Sequence, residues 1–125
     1  MFKLTGNNTL KITQGDTGTL TITPRADTFG SSDKVQLTIT DKAKKNVLLQ
    51  KVVGFTNNVA SIPFVTADTA NIAEGVYLWE LRFVKGATVT EGVITAGTSI
   101  NTPYENMALQ IIDALGDIGA TTGGT

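Results

Sequence analysis

Two-residue alternation is the feature that most narrows what this chain can become. Leu20 and Ile22 alternate with Thr19, Thr21 and Thr23, and Val35, Leu37 and Ile39 alternate with Gln36, Thr38 and Thr40. Successive side chains of a strand point to opposite faces, so such runs bury one face and leave the other to water. Threonine, the commonest residue, fills many of the outward positions, where its branched side chain suits a pleated surface. Alternation bounded by Gly, Asn and Asp predicts strands near residues 9–13, 18–23, 34–40, 47–53, 59–64, 76–84 and 88–96. Half-buried strands with no helical crossover between them favour antiparallel pairing, and so an all-β, two-sheet sandwich.

The longest run, VYLWELRFVKGATVTEGVITA, reads as a hairpin turning at Gly86 and Ala87. That register sets Val84 against Val89 and Arg82 against Glu91, and puts Tyr77, Trp79, Leu81 and Phe83 together on the core face. Trp79 and Tyr77 would serve as a sugar-stacking platform only if that face were open. Beyond it the pattern changes. Thr102, Pro103, Tyr104 and Glu105 have the form of a helix N-terminus with a capping box. Tyr104, Met107, Ala108, Ile111, Ile112 and Leu115 then recur at spacings of three and four, which predicts an amphipathic helix over 101–118 after a sandwich domain over 1–100. Its apolar stripe is the candidate interaction surface, either for self-association or docking to a neighbouring protein, or as a lid on its own sandwich. The tail, 119–125, has no apolar anchor and reads as disordered.

The chain has 125 residues, enough for one self-sufficient core. It contains no cysteine and no histidine, which excludes thiol nucleophiles, Cys/His zinc sites, Ser-His-Asp triads and the usual near-neutral proton shuttle. A net charge of -1 argues against nucleic acid as partner. No apolar run has the length of a signal peptide core or a membrane span, so neither export nor membrane insertion is expected.

Individual motifs carry little chemistry. Asp16-Thr17-Gly18 matches the aspartic-protease triplet, but it follows a polar stretch and suits a turn better. Asp27, Ser31, Ser32 and Asp33 could offer oxygens to calcium yet lack EF-hand spacing. Lys42, Lys44 and Lys45 read as a solvated turn, and the sequon at Asn7 as idle. No catalytic residue, cofactor or metal is expected, and no enzymatic activity.

The order of these segments resembles a family of immunoglobulin-like modules in phages of Gram-positive bacteria, found at the N-terminus of upper baseplate proteins and in related small tail or virion proteins. The resemblance covers roughly residues 10–100. It is carried by ITQGDTGTLTIT, KVQLTITDKAKKNVLLQK, ADTANIAEGVYLWELRF and TVTEGVITAGTSI. It implies that the sandwich is immunoglobulin-like, so that the fold expected is an immunoglobulin-like antiparallel β-sandwich of about seven strands, followed by the one C-terminal α-helix read from the residue spacing. It also implies a structural role in a phage tail or baseplate, with itself or neighbouring tail proteins as partners and the virion as location. The segment from Asp68 to Tyr77 resembles the tyrosine corner of sandwich domains, in which a Tyr hydroxyl bonds to upstream backbone. A bacterial surface or carbohydrate-binding sandwich is the alternative, and an aspartic-protease-like dimer a more distant one.

Overall fold

The computed structural model describes residues 1–25 and 27–114. The elements run β1 (Phe2–Leu4), β2 (Leu10–Thr13), β3 (Gly18–Ile22), β4 (Lys34–Thr40), β5 (Val47–Gly54), β6 (Ala60–Phe64), α1 (Thr66–Thr69), β7 (Gly75–Lys85), β8 (Thr88–Thr90), β9 (Val93–Ala96) and β10 (Ser99–Ile112). The fold is therefore mostly β, as the alternation requires. Six strands form one sheet in the order β1-β2-β10-β7-β4-β5, while β3 pairs with β6 and β8 with β9. One pair departs from the expected antiparallel arrangement: β2 runs parallel to β10, with Leu10 beside Leu109 and Ile12 beside Ile111.

Alternation decides what is buried. Strand β4 buries Val35, Leu37 and Ile39, and β7 buries Trp79, Leu81 and Phe83, with Tyr77 packed at the margin. Leu20 and Ile22 of β3 with Ala60, Ile62 and Phe64 of β6 join the same core. Each such large apolar side chain contributes about 1.5–3 kcal/mol relative to exposure. Gly18 is required by packing rather than by conformation, since a Cβ there would lie 2.3 Å from the Phe2 ring.

Three expectations are corrected. First, residues 101–112 lie in β10 rather than in a helix, and the domain boundary expected at 100/101 falls inside this strand. Residues 115–118, and the tail expected over 119–125, lie outside the described residues. The physical reason is tertiary: β10 pairs with both β2 and β7, whose facing backbone donors and acceptors would otherwise be unpaired in the middle of a sheet. That gain outweighs a local capping signal, because short helices depend on tertiary packing for stability. Second, β7 does not pair with the segment after Gly86. It lies between β10 and β4, with Trp79 opposite Met107 and Ile39. Residues 88–96 fold on themselves around Glu91 and Gly92, whose φ of 53° and 78° suit a two-residue hairpin turn. Third, Arg82 therefore does not meet Glu91. Its Nε lies 3.2 Å from Glu80 on the same strand.

Candidate interaction surface

The residues expected to form a helical stripe are divided by the strand between core and surface. Ile111 is buried, as is Leu109, which the helical spacing had left off the stripe. Tyr104 and Met107 pack against the core at its edge, and Ala108 and Ile112 are half-buried. Leu115 lies outside the described residues. The stripe is therefore no free docking face. Strand β10 shifts register against β7 between Asn101 and Tyr104 and again between Tyr104 and Met107. Each shift advances β10 by three residues while β7 advances by two. Two bulges thus space the inward side chains three apart before normal alternation resumes, which imitates the spacing of a helix.

Trp79 is buried and donates from Nε1 to the carbonyls of Ala108 (2.9 Å) and Asn8 (3.1 Å), so it is no open platform. The Tyr104 ring stacks on it at 5.6 Å between centroids and 25° between planes. Two residues before Trp79 on β7, the Tyr77 hydroxyl donates to the Ala73 carbonyl at 2.6 Å, the upstream backbone bond anticipated for this segment. Its neighbours have similar duties. Asp68 accepts the Val65 N–H (2.8 Å) and pairs with Lys51 (2.8 Å). Thr69, fully buried, accepts the Gly15 N–H at 2.9 Å, and the Ile72 carbonyl accepts the Gln14 side-chain amide at 2.7 Å. The turn at Gly15 and the segment around α1 are in this way tied together.

The other singled-out polar residues sit in turns. Asp16 pairs with the Met1 ammonium at the β2–β3 turn. Asp33 accepts the backbone N–H groups of Gly30 (2.7 Å) and Gly86 (2.9 Å), which hold its carboxyl below the usual carboxylate range. Asp27 pairs with Lys85 at 3.1 Å, and Ser31 and Ser32 are exposed. Among the described residues no cluster of three acidic side chains could hold a metal ion. Asp41 accepts the Lys45 N–H and the Asn46 side-chain amide, which lower its pKa and fold the turn that carries Lys42, Lys44 and Lys45. Asn7 lies in the turn between β1 and β2. Among the described residues no helix is long and apolar enough to cross a membrane.

Two surface features escaped the sequence reading. One is the β8–β9 arm, which among the described residues pairs with no other strand and exposes Val89 and Val93, with Ile100 exposed just beyond it. Its signal was the Glu91-Gly92 pair inside an alternating run. The other is a hollow of about 410 Å³ where the β3–β4 connection meets the bulged part of β10. Phe29, Phe83 and Tyr104 give it apolar walls, and Arg25 and Asn101 give it polar ones. No family model, curated protein or solved structure matches the chain.

Proposed function

We propose that the chain is a non-enzymatic, immunoglobulin-like module that serves as a structural and interaction part of a phage or prophage particle, in its tail or baseplate. The observation that carries the fold half of this reading is the strand order. The succession β10-β7-β4-β5, with β3 and β6 sharing its core, supports this reading because it is the order that strands G, F, C and C′, against B and E, take in an immunoglobulin variable-type sandwich. The Tyr77 bond to Ala73 lies at the E–F corner of that scheme, where such domains carry their tyrosine corner. The particle half rests on the sequence resemblance, whose quoted segments supply the turn at Gly15, the segment around α1 and β7. With Ile111 buried and Tyr104 and Met107 packed against the core, the contact element is the β8–β9 arm, whose exposed Val89 and Val93 suit burial against a neighbouring protein of the particle.

The test is the protein content of particles released from an induced lysogen carrying the gene. The chain should sediment with the tail proteins in a fixed multiple-copy ratio, as symmetric assemblies require. A chain recovered only outside the particles contradicts the reading.

A further inference from the structure

We propose that the hollow between the β3–β4 connection and the bulged part of β10 binds a carbohydrate ring, packed against Tyr104 and held by Arg25 and Asn101. Its volume of about 410 Å³ falls in the range of small-molecule sites, and its Phe29 wall is held by packing and hydrogen bonds within the chain. Phe29 stacks on Phe55 at 4.5 Å and meets Phe83 edge-on at 5.2 Å. The Asn58 side chain clasps the same connection, accepting the Phe29 N–H at 2.8 Å and donating to the Asp27 carbonyl at 3.3 Å. Lys85 lies 5.2 Å from the centre of the Phe29 ring and pairs with Asp27.

The polar groups are arranged differently. Asp27 is engaged by Lys85, whereas among the described residues the Arg25 guanidinium, the Asn101 amide and the Tyr104 hydroxyl have no protein partner. One face of the Tyr104 ring is covered by Trp79, so the ring meets the hollow with its other face or its edge. The two bulges that flank Tyr104 are devices that re-aim side chains beside binding sites.

An aromatic surface beside planar, unpaired donors and acceptors matches a sugar ring, which has an apolar C–H face and a rim of hydroxyl groups that both donate and accept. A purely apolar ligand would desolvate Arg25 and Asn101 without compensation. Among the described residues a phosphate would find Arg25 as its cation, with the Asp27 carboxylate nearby. The inference goes beyond the module reading and does not depend on the particle.

The full chain is applied to an array of immobilised oligosaccharides. Sugars retained there, together with methyl glucoside, methyl galactoside and N-acetylglucosamine, are then titrated into it. Trp79, the single tryptophan, reports through its stack with Tyr104, and amide NMR shifts locate the site. At least one sugar should saturate both signals. Arg25→Ala and Asn101→Ala, both at exposed positions, should keep the fold by circular dichroism and weaken binding about tenfold each. Absence of saturable binding to every sugar overturns the proposal. So does binding undiminished in both variants, shifts confined to another surface, or occupation of the hollow by a peptide but by no sugar. None of these results bears on whether the chain sediments with particles.

Discussion

Leu109→Ala separates the strand assignment of the C-terminal segment from a helical one by a margin that equilibrium unfolding resolves. Leu109 is fully buried, beside Leu10 on one side and opposite Tyr77 on the other. Removing three buried carbons forfeits about 2.4 kcal/mol at about 0.8 kcal/mol each. The cavity left in a site closed on both sides raises the loss to about 3–5 kcal/mol, a large part of the ~5–15 kcal/mol that stabilises a domain. On the helical pattern Leu109 lies off the apolar stripe, and its truncation would cost under about 0.5 kcal/mol, as surface changes do. Gln110→Ala, at the exposed neighbouring position, is the control and should change stability by no more than that. Urea unfolding followed by Trp79 emission supplies the assay, with an unchanged m-value required before midpoints are compared. A Leu109→Ala midpoint indistinguishable from that of Gln110→Ala would refute the pairing of β10 with β2 and β7.

Trp79→Ala should cost about 3–5 kcal/mol, and iodide should quench native Trp79 emission poorly because the indole is buried. Tyr77→Phe deletes the hydroxyl bond to Ala73 and should cost about 0.5–1.5 kcal/mol in urea, with little change in far-ultraviolet circular dichroism. For Asp33, the Gly30 and Gly86 N–H groups lower the folded pKa below the unfolded value near 3.8. Its stabilisation is therefore full above that value and is lost as pH falls through the lower folded pKa. The stability gap between wild type and Asp33→Asn should accordingly be present at pH 7 and shrink below pH ~4 in paired urea titrations.

The sequence was most legible where local pattern and tertiary environment agree. Strand β4 occupies the bounds read from alternation, because Gln36, Thr38 and Thr40 occupy every second position between Val35, Leu37 and Ile39. The inward face of β7 follows for the same reason. Strand β10 was illegible because its two bulges break the period of two, and because the partners that stabilise it, β2 and β7, are distant in sequence. The pairing of β7 with β10 rather than with the next segment could not be read from a turn at Gly86, which fits both arrangements. In fact the Thr98 N–H donates to the Lys85 carbonyl across a gap that holds the entire arm. Arg25, Asn101 and Tyr104 share no sequence motif, and only the β3–β4 connection and the bulges bring them to one hollow.

Shortening residues 88–96 to a Gly-Ser linker tests most directly the claim that this is a folded module docking through its surface within a particle. Among the described residues the arm pairs with no other strand and contributes nothing to the buried core, so the shortened chain should unfold within about 1 kcal/mol of the full chain. It should nevertheless disappear from sedimented particles. A shortened chain incorporated at the same copy number as the full chain would contradict the claim.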